Sequence, residues 1–441
     1  MHAVVIIILC AATLSDFVMS LWSAPVLFKL LPEELSVVVT VLVLLEGVRG
    51  GFSLVSPKYW IVFGLLALII VAGVLSNGVG AGPIVSGMRV YVRALPLFLL
   101  PAVSRFTNTQ IRQQMKLLLA IGVLQLPIAC YQRWVIYSEG RFSGDDVVGT
   151  MDQSGPLSIV LVCIFLVVIA CYMQKRIGRL NLLLLFLALL FPTTINETKV
   201  TVFILPVGLL TTLIVGSPRG KRLRVFALGL TLLAVFTAIL IPVYDAMNVR
   251  SHYKNERNIE DFFSNPEVMN NYMNLKHDAA TVGTKREVGR GDALRVPLDY
   301  LSRDPIRLAF GLGLGNATHS NLGGTFVGDY YPLFARFTIT AFTVFILEFG
   351  LLGTSLVFLL YILMFFDALA VARADTSIVG SLAVGWTGVV LIMALSTFYI
   401  LIQIFPPLSY LYWYFGGVIA ARRVELALAG ARARLPLGAV T

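Results

Sequence analysis

The chain has 441 residues, of which 58% are hydrophobic and only 13% charged, with a mean hydropathy of +0.85. A soluble globular protein carries about 25% charged residues, so this composition excludes that class and points to a polytopic membrane protein. The net charge of +10 does not signal nucleic-acid binding, because most of the excess lies in short connections between apolar runs.

The runs are continuous and not alternating, so the spans read as helices and not as barrel strands. The expected fold is an all-α polytopic membrane protein, one membrane domain over 1–441 with about twelve transmembrane helices. In chain order they fall at 3–20, 35–49, 59–76, 84–103, 111–131, 156–173, 180–194, 199–216, 225–243, 337–364, 377–399 and 405–421. The first lacks a basic leader and a small-residue cleavage site, so it reads as a span and not as a removed signal peptide. Pro96 and Pro206 fall inside spans and predict kinks there. The four cysteines, Cys10, Cys130, Cys163 and Cys171, all lie in apolar runs and read as small buried hydrophobes, with no disulfide framework or metal knuckle.

Basic residues orient the chain. Arg49 and Lys58; Arg105, Arg112 and Lys116; Lys175, Arg176 and Arg179; Arg219, Lys221, Arg222 and Arg224; and Arg373 all fall on one side, as do Arg422, Arg423, Arg432 and Arg434 in the tail. The opposite connections carry few, and Arg133 and Arg141 are balanced there by Glu139, Asp145, Asp146 and Asp152. Both termini are therefore expected in the cytoplasm. One polar interruption, 244–336 between the ninth and tenth spans, is expected as an extracytoplasmic, periplasmic loop subdomain. It holds three of the four histidines and is balanced in charge, with 11 Lys/Arg and 11 Asp/Glu.

Several residues there and near the same face have chemistry to offer. Arg89 and Arg93, four apart, share a helix face in the outer half of the fourth span. Intramembrane arginines face a watery cavity or an anionic partner, or else snorkel to the interface. Guanidinium binds phosphate in a bidentate fork, which suits a lipid-linked diphosphate. Glu197 and Lys199 open the eighth span. The acid suits the helix dipole and the lysine opposes it, so Lys199 is an interfacial anchor or a ligand contact. Leu294, Leu298 and Leu301 give a one-sided apolar stripe and predict an amphipathic helix near the membrane surface, ending near Asp304-Pro305. Arg290 sits at its start and Arg295 one turn on. Gly311-Leu312-Gly313-Leu314-Gly315 resembles a nucleotide fingerprint only superficially, since no strand precedes it. Its glycines read as a loop in close approach to something. His319 follows in a polar stretch, where histidine is by default a surface residue. An imidazole titrating near pH 6.5 also suits general-base work. His252 and His277 share no metal-ligand spacing with it.

Four local patterns resemble the bacterial O-antigen polymerase and O-antigen ligase superfamily of polytopic glycosyltransferases. Arg141-Phe142-Ser143-Gly144 with Gly149-Thr150 is similar to that family's R-x-x-G-T-F segment. Lys199 stands where the family has a basic residue, commonly Arg. Gly289-Arg290 through Asp304-Pro305 to Gly311-Leu312-Gly313 is close to its G-R, helix, P-x-x-G-x-G run. His319 with Glu348-Phe349-Gly350-Leu351-Leu352-Gly353 resembles H-N followed by E-x-G-x-x-G. The gap from His319 to Glu348 is 29 residues, longer than in the family, and the inserted stretch contains Tyr330, Tyr331 and Arg336.

The resemblance implies an inverting glycosyltransferase of the bacterial inner membrane that polymerises polyprenyl-diphosphate-linked oligosaccharide repeats into exopolysaccharide, capsule or O-antigen. It implies no cofactor, metal or nucleotide sugar. His319, Arg290 and Lys199 would be catalytic, and Arg89, Arg93, Arg295 and Arg336 would hold the diphosphate. Glu197 is the alternative base, and Arg141 is a further candidate. Partners would be the lipid-linked donor, a glycan acceptor, the bilayer and chain-length regulator or flippase proteins, with no nucleic acid. A ligase transferring glycan to a lipid A core fits the same motifs. From other classes, a lipid-linked oligosaccharide flippase would use Glu348, the best charged residue within a span, and a non-catalytic scaffold of an export complex would tolerate loss of the loop charges.

Overall fold

The computed structural model describes residues 1–22, 27–137, 144–196, 198, 200–248, 265–267, 270, 290–320, 322–334 and 340–434. Among these every regular element is helical, with no strand. The helices are α1 (His2–Trp22), α2 (Leu27–Gly50), α3 (Pro57–Asn77), α4 (Ala81–Val92), α5 (Leu95–Ser104), α6 (Asn108–Tyr131), α7 (Ser154–Met173), α8 (Arg179–Ile195), α9 (Val200–Gly216) and α10 (Arg222–Asn248). Then come α11 (Arg290–Leu301), α12 (Pro305–Phe310), α13 (Tyr331–Phe334), α14 (Ala341–Ala374), α15 (Ile378–Ser396) and α16 (Pro406–Arg434).

Each apolar segment anticipated from the sequence falls on one of these helices or, for 84–103, on the pair α4 and α5. Among the described residues, six helices are long and apolar enough to cross a membrane, namely α1, α3, α6 with the π-helical turn after it, α7, α14 and α15. A seventh is added if α4 and α5, bent by 47° at their junction, form one broken span, while α8 and α9 are apolar but shorter. Pro96 enters the first turn of α5, where its missing N–H leaves no helical bond unmade. Pro206 lies within α9.

Burial sorts the helices into centre and rim. In α7 and α15 about four-fifths of the apolar window is buried (78% and 83%), against 17% in α3. A helix apolar all round belongs inside, and α7 and α15 pack on each other and on α9. α3 buries only Tyr59, Val62 and Gly73 fully, packs Phe63, Ile70 and Val74 partly against the core and leaves much of its remaining surface exposed. At the end of the bundle away from the glycine loop, Lys58 Nζ donates to Asp367 at 2.5 Å and the Tyr59 hydroxyl donates to the other oxygen at 2.8 Å, tying α3 to α14.

The helix α14 is not continuous. Gly350 has φ +65° and ψ −168°, so the first turns and the long remainder are two helices with a break between. A break orphans carbonyls that a helix would satisfy, and inside lipid that is costly. The glycine stretch supplies the missing donors, with Leu312 N donating to Leu347 O at 2.6 Å and Gly313 N to Glu348 O at 3.2 Å. Residues 311–317 are all buried. Gly311, Gly313 and Gly315 have φ of +77°, +92° and +77°, and a Cβ would strike backbone of α14 at Gly311 and of α4 at Gly315, and the Val79 side chain beside α3 at Gly313. The close approach expected of these glycines is therefore present, with the broken helix at Gly311 and with α3 and α4 at Gly313 and Gly315.

The amphipathic helix expected after Arg290 is α11, which carries Pro297 inside it. Leu301 is buried with Leu312, Phe334, Ile346 and Leu347. Thr343 Oγ1 donates to Ala293 O at 2.9 Å, which docks α11 on α14. Asp304 then caps α12 by accepting from Ile306 N at 2.9 Å and Arg307 N at 3.4 Å.

Candidate active site

Two cavities adjoin where α4 meets the loop 401–405. The first, about 530 Å³, is polar, and Arg89, Arg93, Glu33, His319, Tyr331 and Gln403 are among its walls. The second, about 390 Å³, is apolar and runs between α3, the α4–α5 junction, α14 and α16. Val90 and Gln403 line both. Val71 and Met88, on its α3 and α4 sides, are themselves 53% and 45% exposed, so this cleft opens on the outer surface of the bundle.

The two arginines meet in the polar cavity, but they do not stand there unaccompanied. Glu33, at the start of α2, takes both. Arg89 donates to it through Nε and, at 3.1 Å, through Nη2, a bidentate fork. Arg93 donates through Nη1 at 2.5 Å and spends Nη2 on the carbonyls of Gln403 (3.0 Å) and Ile404 (2.6 Å). Arg93 lies in the αR region between α4 and α5, and its carbonyl accepts from Ser36 Oγ. The bend between those helices thus places one guanidinium among three helices and the 401–405 turn. Asp16 and Asp152 also line the cavity, each with a partner of its own. The described walls therefore carry three carboxylates against two guanidinium groups.

His319 is exposed on the cavity wall, its ring 5.1 Å from that of Tyr331. The stretch before it is held firmly. Glu348, fully buried, accepts from Ala317 N at 3.1 Å and Thr318 Oγ1 at 2.5 Å. Asn316 bonds Leu312 O, and its carbonyl and side chain accept from Tyr330 N and Asp329 N, so the returning segment that carries Tyr331 is fixed to the same loop.

The segment Gly149-Thr150 is pinned by two glutamines from α6 and the π turn. Gln132 donates to Gly149 O at 2.8 Å and accepts from Gly149 N at 2.7 Å. Gln125 accepts from Thr150 N and donates to its hydroxyl, both at 2.9 Å. This fixes Met151 to Gln153, which line the polar cavity.

Arg295 is elsewhere. It is 79% exposed, pairs with Asp299 at 3.4 Å and does not line the cavity. Arg290 is the first residue of α11 and only its backbone is described. Arg141, Glu197, Lys199 and Arg336 lie outside the described residues, as do His252 and His277. Just before Glu197 the chain is anchored. Asn196 Nδ2 donates to Ser158 Oγ at 2.8 Å and Ser154 O at 3.2 Å, beside Gln153 and Pro156 of the cavity wall. The four cysteines are free, and among the described residues no cluster of three metal-ligating side chains occurs.

Sequence reasoning missed Glu33, which lies in α2, 56 residues from Arg89, and the glutamines 125, 132 and 403. Polar residues within or beside apolar runs were the available signal, since each costs free energy in lipid unless paired. No family model matches the chain, and no curated protein matches it either.

Proposed function

We propose that this chain is an inverting membrane glycosyltransferase that polymerises polyprenyl-diphosphate-linked oligosaccharide repeats at the outer face of the bacterial inner membrane. The observation that carries the reading is the joining of a polar cavity, with His319 and Arg89 on its wall, to an apolar cleft that opens on the bundle surface. An isoprenoid chain with a diphosphate-sugar head has this division of character. The twelve-span topology with periplasmic 244–336 belongs to the same proposal, as do the motif similarities around His319 and Glu348.

In the proposed reaction the acceptor hydroxyl gives its proton to His319 as its oxygen attacks the anomeric carbon. The bond from that carbon to the diphosphate oxygen breaks with inversion. The negative charge released stays on the carrier diphosphate next to Arg89, and the reading needs further cations there, for which Lys199, Arg290 and Arg336 are the candidates. The described walls alone are not strongly positive, so those three cations are required by the reading. With a lipid A core as acceptor the same steps describe a ligase. The buried carboxylate of Glu348 beside a broken helix is the feature that favours a transporter instead.

The test uses purified full-length protein in proteoliposomes, given a lipid-linked repeat unit and no nucleotide sugar. A ladder of elongated lipid-linked products is expected, and it should vanish in His319→Ala while that variant remains folded in the membrane. Movement of the intact repeat unit across the bilayer, with no ladder, would overturn the proposal in favour of a flippase.

A further inference from the structure

Glu348 is a carboxylate with no exposed surface, and its two oxygens have different surroundings. Oε1 accepts from Ala317 N and Thr318 Oγ1. Oε2 makes no hydrogen bond of ordinary geometry, and neither do the Tyr91 hydroxyl and Gln403 Oε1, although the Tyr91 hydroxyl lies close against Glu348, Thr318 and Gln403 in the same buried pocket. A carboxylate in such a place is costly, and its retention asks for a reason beyond packing.

The helix break supplies the geometry. Because α14 interrupts itself at Gly350, the backbone at Leu347 and Glu348 faces the glycine loop and accepts from Leu312 and Gly313. The side chain of the same residue continues along that loop to Ala317 and Thr318. One residue of α14 therefore grips the loop at two places four residues apart, and the second grip ends one residue before His319. Asn316, inside the gripped stretch, in turn fixes Asp329 and Tyr330, and so the position of Tyr331 against the His319 ring.

We infer that Glu348 is a positioning residue that sets where His319 stands in the polar cavity, by accepting the Ala317 and Thr318 hydrogen bonds with one oxygen. The inference rests on the reading of His319 as the base of the transfer. What it requires of position 348 is an acceptor oxygen, not a charge. The glutamine amide oxygen has the same reach, so Glu348→Gln keeps the grip; Glu348→Ala loses it; Thr318→Val removes one of the two bonds and leaves the buried carboxylate untouched.

The experiment measures two things on the full-length chain in proteoliposomes. The first is elongation of a lipid-linked repeat, resolved into kcat and KM. The second is the mobility of a nitroxide attached at His319→Cys, with the four native cysteines replaced by alanine. In Glu348→Ala, kcat is expected to fall about a hundredfold with KM little changed, since misplacing a reacting group by about an ångström costs that much. The nitroxide spectrum should sharpen to that of a mobile label. Glu348→Gln should recover most of kcat and the broad spectrum, and Thr318→Val should lie between. Equal losses in Glu348→Gln and Glu348→Ala, or a nitroxide indifferent to Glu348→Ala, would overturn the inference. Should Glu348→Ala fail to fold, the Thr318→Val arm decides: no change in kcat or mobility there overturns it. A wild-type chain that makes no ladder, with a label freed by Glu348→Ala and held again by Glu348→Gln, would uphold the positioning role while sinking the glycosyltransferase reading.

Discussion

Arg89 and Arg93 stand one helical turn apart and share one carboxylate, yet their circumstances differ. Arg93 is 9% exposed and holds the Gln403 and Ile404 carbonyls besides Glu33; Arg89 is 24% exposed and bonds only Glu33 among the described residues. Removing Arg93 leaves Glu33 still held by Arg89 but takes the donor from two part-buried carbonyls, a loss of about 1–3 kcal/mol for each group left unsatisfied. Removing Arg89 leaves Glu33 still paired and costs on the order of 1 kcal/mol. Thermal unfolding in detergent should therefore drop steeply for Arg93→Ala and slightly for Arg89→Ala. Elongation by Arg89→Ala should nonetheless fall, with KM for the lipid-linked donor raised. The pairing was not legible in the sequence. Four-residue spacing put both arginines on one face, but Glu33 sits on another helix, and only folding brings it there.

At the scale of elements, helix positions were legible because lipid demands long apolar runs and the runs are continuous. The break in α14 was not, because hydropathy passes smoothly over Gly350. Its motif was visible, but the loop it meets lies more than thirty residues earlier. The connection between α14 and α15 holds a second device that composition could not show. Asp375 accepts from Arg422 Nε at 2.8 Å, Ser377 N at 2.7 Å and Ser377 Oγ at 2.9 Å, joining that connection to the far end of α16. Burial pushes this carboxyl up, but the bonds from Arg422 and Ser377 outweigh it and hold it below its ordinary value of 3.8. A depressed carboxyl stabilises the fold fully above that ordinary value and loses its contribution as pH falls through the lower folded one. The thermal midpoints of wild type and Asp375→Asn, followed downward from neutral pH, are therefore expected to differ at pH 7 and to converge below about pH 4.

For the molecule as a whole, the arrangement of a polar chamber beside an apolar cleft makes the cleft testable apart from the chemistry. Ala67 lies on the α3 wall of the cleft and does not line the polar cavity that holds His319. Ala67→Trp should raise KM for donors with a long polyprenyl chain and leave donors carrying a short chain nearly unaffected, as read from initial elongation rates. Of the cations the sequence gathered around one diphosphate, Arg89 and Arg93 share a chamber with His319, while Arg295 turns to solvent beside Asp299. Helical spacing placed Arg295 on α11 correctly but could not say which way α11 would roll when Leu301 became buried. The glycine loop carries one more consequence. Surface loops usually trade their amide hydrogens with water within moments, while spans hold theirs for days. Leu312 and Gly313 are donors to the interrupted helix, so their deuterium uptake should be as slow as that of Phe345 or Ile346, and the loop and α14 should open to solvent only together.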